Sequence, residues 1–284
     1  MMRSFIFLLW GVGLCFSCTA PIDISTRDGE PALVIYGYLT DESKNQNIRL
    51  SRSSPYFQEE ENPVVTDAKV RVTASNGKEY TFVHDKDGYY VSQRRFAAAP
   101  DVTYRLSIEV NKDIYEVETT TLPKLPVDSI TITKLNIMGF LHYSLNIHFQ
   151  EPAETENYYL FKFFINDSIS NEKITDLILS DDEMFNGEYL DGVSVMYFNS
   201  AADFEDTDDD WGMYLVSPGD RIRLQVLNIE KGYYQFLRDC RTEKRGENPF
   251  FGGPPSNIYT NLPKGAVGYF TSFCITEKSI VIPE

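Results

Sequence analysis

Four cysteines and a surplus of carboxylates are the side chains of this sequence with chemistry to offer. Cys18 is singled out by what precedes it. An apolar run from Phe5 to Phe16, led by Arg3, is about twelve residues long, nearer an export-signal core than the ~20 residues needed to span a bilayer. It ends in Cys15-Phe16-Ser17-Cys18, and a small residue directly before a cysteine is the arrangement that a lipoprotein signal peptidase requires. Cleavage there predicts a signal peptide over 1–17 and makes Cys18 the first residue of the mature chain, alkylated as a thioether and acylated with palmitate-type chains. Cys15 stands three residues before Cys18, where leucine is commoner, so plain secretion without an anchor stays open as the alternative.

The remaining candidates are weaker. With Cys15 removed and Cys18 acylated, Cys240 and Cys274 are left, and an oxidising compartment permits a disulfide between them. Asp206, Asp208 and Asp210 have the carboxylate spacing that opens a calcium loop. Gly212 comes one place late, however, and Ser217 stands where the closing glutamate belongs, so a solvated acidic loop is the competing reading. The stretch 248–270 mixes turn formers with Phe250, Phe251, Asn257, Tyr259 and Asn261. Irregular loops longer than about 12 to 15 residues are usually functional or disordered, and the aromatics argue for order, which makes this loop a candidate contact for a partner or ligand. No G-x-S-x-G, H-E-x-x-H, P-loop or C-x-x-C pattern occurs, so neither an enzyme nor a cofactor is expected.

Charge narrows the partners. Lys and Arg number 26 against 42 Asp and Glu, for a net charge of −16. Losing the +1 of Arg3 with the signal leaves −17. Such a surface repels nucleic acid and anionic headgroups, so membrane attachment must come through lipid and not through a basic patch.

The elements that would hold these residues are mostly strands. Residues 18–31 are polar and predict a tether able to reach roughly 40 Å. Ala32–Leu39 reads as a strand buried on both faces, and Asn76-Gly77 between 68–74 and 79–84 predicts a two-residue hairpin with Val70 opposite Val83. Val102–Val110 alternates cleanly, with 114–120 as its antiparallel partner. Two prolines in Leu122–Pro126 suggest a linker, giving an N-terminal β-sandwich over 32–122 and a C-terminal β domain over 127–284. Within the latter, strands are expected at 130–135, 140–149, 157–165, 219–229, 266–275 and 278–282. One helix is expected over 230–244, because Tyr233, Phe236, Leu237 and Cys240 fall at i, i+3, i+4 and i+7. The fold class is therefore mostly β: two β-sandwich-like domains, immunoglobulin- or prealbumin-like, with one short helix near the C-terminus.

Several stretches carry a family resemblance: Leu33 to Leu39, Ile48 to Phe57, Asp67 to Val70, then Asn248-Pro249-Phe250, Pro255-x-Asn257-Ile258-x-x-Asn261-Leu262 and Gly265-x-x-Gly268-Tyr269-Phe270. Together they resemble a lipoprotein family of Bacteroidetes outer membranes described only as a domain of unknown function. That resemblance implies a lipid-anchored outer-membrane protein exposed at the cell surface, often encoded beside a TonB-dependent receptor, and it supplies no catalytic residues. It implies an accessory or substrate-capture partner of a TonB-dependent transporter. A stand-alone surface module that binds or adheres to a glycan or peptide is the alternative.

Overall fold

The described residues form seventeen strands, several of them written by alternation of apolar and polar residues. In the first part these are β1 (Leu33–Thr40), β2 (Asn47–Arg52), β3 (Lys69–Ala74), β4 (Glu79–His84), β5 (Tyr89–Ser92), β6 (Thr103–Val110) and β7 (Asp113–Thr120). There follow β8 (Val127–Ile137), β9 (Phe140–Gln150), β10 (Tyr158–Ile165), β11 (Ser168–Ile169), β12 (Ile178–Asp181), β13 (Tyr189–Ser200), β14 (Leu215–Val216) and β15 (Arg221–Ile229). Helix α1 (Lys231–Gly246) precedes β16 (Ala266–Phe273) and β17 (Ile275–Val281). The computed structural model describes residues 31–54, 62–153, 155–203, 214–246 and 257–284.

The first sheet has eight strands in the order β16-β1-β2-β5-β4-β3-β6-β7. β6 shows why it buries one face: Tyr104, Leu106, Ile108 and Val110 are all buried, with Arg105 and Glu109 outside. The two ends of this sheet meet, Thr121 Oγ1 donating to Ser272 Oγ at 2.8 Å, so the sheet curls around a single core. The β3–β4 hairpin differs from expectation by one residue. Val70 faces Phe82, because only Gly77 takes a positive φ (+85°) and the loop becomes the three residues Ser75-Asn76-Gly77. The shift puts Phe82 in the core and leaves Val83 exposed.

The second half is a sandwich. A five-stranded sheet, β11-β10-β15-β17 with β12 also on β10, packs on the four-stranded sheet β14-β13-β9-β8. Tyr143, Leu145, Ile147 and Phe149 of β9 meet Tyr159, Phe161 and Phe163 of β10 and Ile222, Leu224 and Val226 of β15. The opposite face of the five-stranded sheet is covered as well. Leu160, Leu227 and Ile229 pack against Tyr233, Phe236 and Leu237 of α1, the apolar stripe expected for the helix.

The chain does not stay within the halves drawn at Leu122–Pro126. β16 runs parallel to β1 in full register, Leu33 beside Ala266 through Thr40 beside Phe273, and the chain crosses at Cys274 into β17 of the second sheet. Residues Pro31–Glu284 form one compact unit. Gly268 permits the parallel pairing: it sits at φ +108°, and a Cβ there would lie 2.1 Å from the Ile35 carbonyl oxygen. The disulfide allowed by composition is not formed. Cys240 is half-buried on the inward stripe of α1, while Cys274 is buried where the chain changes sheets, and both are free thiols.

Candidate functional site: an aromatic cleft beneath the helix

The residues singled out by sequence fall in different places. Cys18, Phe250, Phe251, Asp206, Asp208 and Asp210 lie outside the described residues. Asn261 clamps β16: its Nδ2 donates to the Phe270 carbonyl at 2.7 Å, and its Oδ1 accepts from Phe270 N–H at 3.2 Å. The Tyr259 N–H donates to Asp239 Oδ2 at 2.9 Å, and its ring lies 6.3 Å from that of Tyr269, which ties the segment to α1. Asn257 is exposed. Among the described residues no group of three or more His, Cys, Asp or Glu is placed to hold a metal ion.

One array has the order of a nucleophile, base and acid. Thr131 Oγ1 lies 2.9 Å from His148 Nε2, and His148 Nδ1 lies 3.1 Å from Asp191 Oδ1. His148 and Asp191 are register partners on β9 and β13, and the Asp191 side chain is 84% exposed. These three residues form a cross-strand polar row on an open sheet face. Glu151 is the reverse case. It is 1% exposed, and its carboxylate accepts from Asn157 Nδ2 and Tyr159 Oη, each at 2.8 Å, and from the Gly187 N–H, a buried acid already furnished with donors.

A concave site stands where the outer face of β1, strand β10 and helix α1 converge. It is a cleft of about 670 Å³, within the ~300–1,000 Å³ typical of small-molecule sites. β1 supplies Tyr36 and Tyr38, on the face opposite the buried Leu33 and Ile35. α1 supplies Tyr233, Phe236 and Cys240, and Tyr89 at the start of β5 stands at the side. The rings brace one another: Tyr38 stacks on Phe273 at 5.3 Å, and Tyr36 meets Tyr38 edge-on at 6.3 Å. Tyr36 is 41% exposed, yet its hydroxyl turns inward to within 3.3 Å of the Tyr233 hydroxyl. Burial therefore raises the Tyr36 phenol above its ordinary value, with the Tyr233 hydrogen bond opposing, and burial holds Tyr233 well above its own. Burial also pushes the Cys240 thiol up to about 11, so it lines the cleft as a protonated, weakly nucleophilic group.

β10 adds Lys162, the only charged residue in Tyr-Tyr-Leu-Phe-Lys-Phe-Phe-Ile. Its ammonium lies 5.5 Å from the centre of the Tyr38 ring and has no hydrogen-bond or ion-pair partner among the described residues. Burial lowers its pKa; Lys44 adds to that, and Glu172 and Glu42 oppose it. Neither Lys162 nor the tyrosine wall was singled out from sequence. The signals were a lone lysine in an apolar strand and tyrosines alternating on the second face of a strand whose first face is aliphatic.

The family described as "Domain of unknown function (DUF4249)" matches residues 19–279. The chain belongs to that family. As a family member it brings together the stretches that carried the resemblance: Leu33–Leu39 is β1, and Gly265 to Phe270 leads into and forms the strand paired with it. No curated protein matches the chain. Among solved structures, a point mutant of Salmonella alpha-2-macroglobulin matches at 10% identity over 90% of this chain, with a TM-score of 0.25. The chain spans 15% of that structure's length, and the likeness is too slight to carry an argument.

Proposed function

We propose that the protein is a non-enzymatic, lipid-anchored outer-membrane lipoprotein that captures a small ligand for a TonB-dependent transporter. The observation carrying this reading is the aromatic cleft whose Lys162 has no ion-pair partner among the described residues, a concavity of the size and lining that suit a small ligand. The Ser17-Cys18 junction after an export-type apolar run supports the anchor. Two or three acyl chains at ~0.8 kcal/mol per buried methylene hold a protein on a bilayer with on the order of tens of kcal/mol, effectively permanently. A leash of residues 18–31 then keeps the cleft at high effective concentration above the barrel, so a weak contact between the two proteins suffices.

Cys18→Ser is expected to shift the protein from the membrane to the soluble fraction, and mass spectrometry of the native N-terminus to find acyl groups on residue 18. In detergent extracts the wild type is expected to recover a barrel receptor at fixed stoichiometry. A Cys18→Ser protein that stays with the membrane overturns the anchor, and purification without a barrel overturns the transporter partnership.

A further inference from the structure

We propose that the cleft takes a small organic anion built on a planar unsaturated ring, with the ring against the tyrosines and the carboxylate on Lys162. This rests on the reading of the cleft as a capture site and names the class of what is captured.

The charge argument starts from the surroundings of Lys162. In a chain with 42 acidic residues against 26 basic ones, a lysine at the wall of a cleft finds a carboxylate easily. Of the two acids whose charge acts on it, Glu42 is committed to Lys44 at 2.7 Å. Glu172 also lines the cleft but makes no ion pair with Lys162 within 4.0 Å. The ammonium is thus partly desolvated, with the face of Tyr38 and the charges of Glu172 and Glu42 as compensation but no direct ion pair among the described residues, an arrangement that a bound anion completes. A second cation stands at the side, where the Arg49 guanidinium lies 5.5 Å from the centre of the Tyr89 ring that lines the cleft.

The shape argument concerns what accompanies the charge. Tyr36, Tyr38, Tyr89, Tyr233 and Phe236 present ring faces and edges, which offset stacking and edge-to-face contacts exploit. Polar groups free to bind a ligand are few. The Tyr36 and Tyr233 hydroxyls are engaged with each other, and the Asn171 amide is consumed by the backbone of Phe161 and Phe163. A neutral sugar would bury several hydroxyls against rings, with few polar groups to receive them. A flat anion needs one cation and a wall of rings, and the cleft offers both.

The test is isothermal titration of the purified protein with naphthalene-2-carboxylate, naphthalene-2-carboxamide and glucuronate. The carboxylate is expected to bind 1:1 and at least about tenfold more tightly than the isosteric amide, with glucuronate weaker than both. Lys162→Met should remove the carboxylate's advantage, Lys162→Arg should retain part of it, and Lys69→Met, on the far side of the first sheet's polar face, should change nothing. Equal affinity for carboxylate and amide, tighter binding of glucuronate, or no saturable binding of the carboxylate up to about 1 mM would overturn the proposal. If Lys162→Met fails to fold, as judged by near-ultraviolet circular dichroism, the carboxylate-to-amide ratio on the wild type decides alone. Because the purified protein is titrated without membrane or receptor, failure to recover a barrel and failure to bind the anion remain separate results.

Discussion

Two hollows on this molecule are opposite in design. The larger, about 990 Å³, lies over the outer face of β3, β4, β6 and β7 and is lined by Lys69, Arg71, Arg105, Glu109 and Glu118 among others. Every one of those cations has a partner: Lys69 with Glu109 at 3.0 Å, Arg105 with Glu118 at 2.6 Å and Arg71 with Glu79 at 3.7 Å. The smaller cleft beneath α1 has rings for walls, with Glu172 at its lining, and a lysine that makes no ion pair among the described residues. Size favours the first and chemistry the second. A concavity whose charges already cancel across strands is a solvated sheet face, whereas one that leaves a desolvated charge unanswered has something to gain from a ligand.

The comparison can be broken most forcefully at Gly268. β16 supplies Tyr269 and Phe273 to the cluster beneath the helix, but it takes no part in the polar hollow. Gly268→Ala puts a Cβ against the Ile35 carbonyl at a backbone angle that alanine resists, and it is expected to cost about 3 kcal/mol or more in urea unfolding. Binding in the cleft should be lost with it.

A smaller effect is expected at Glu230, the residue before α1. Its carboxylate accepts from the Thr120 N–H and the Thr119 hydroxyl, each at 3.0 Å, pinning the start of the helix to β7. Glu230→Ala leaves the partly buried Thr120 N–H without its acceptor and should cost about 1–3 kcal/mol. Burial raises the Glu230 pKa above its ordinary 4.5, against the two hydrogen bonds that lower it. As pH rises past 4.5 the unfolded chain gives up this proton first, so the folded protein holds more protons across the window up to the raised value. Stability from this group is therefore full below the window and lost on passing upward through it. Wild type should lose stability relative to Glu230→Gln over that range, measured by urea midpoints at stepped pH.

The smallest expected changes sharpen the contrast best, because they differ in sign. Arg105→Met breaks an exposed cross-strand pair and should lower the urea midpoint only slightly, with the loss shrinking in high salt. Lys162→Met removes a charge that burial disfavours and that no direct ion pair among the described residues repays, so stability should hold or rise slightly. A clear loss of stability in Lys162→Met would mean that the lysine already has a partner in the resting protein.

Much of the fold was legible wherever one face is buried and one is wet. β6 and the stripe on α1 follow from spacing alone. β13 could not be read that way, since bulges between Asp191 and Val193 and between Ser194 and Met196 twice reset which residues face inward and destroy the period of two. Turn chemistry misled at Asn76-Gly77, which closes a three-residue loop, while the less obvious Met138-Gly139 forms the tight two-residue turn, at φ +56° and +93°. The partnership of β1 with β16 was out of reach, because a parallel pairing across more than two hundred residues leaves no local signature. The cleft shared that fate. Its residues come from segments far apart in the chain, among them β1, β5, β10 and α1, and each looks ordinary on its own strand or helix.

That pairing sets a timetable for the newborn chain. A ribosome has made nearly all of this protein before the last strand of its opening sheet exists, and until then β1 waits with a bare hydrogen-bonding edge, open to wrong neighbours. Contacts so far apart in sequence also slow the search for them. A copy cut short by a few dozen residues would thus be damaged at its beginning as well as at its end.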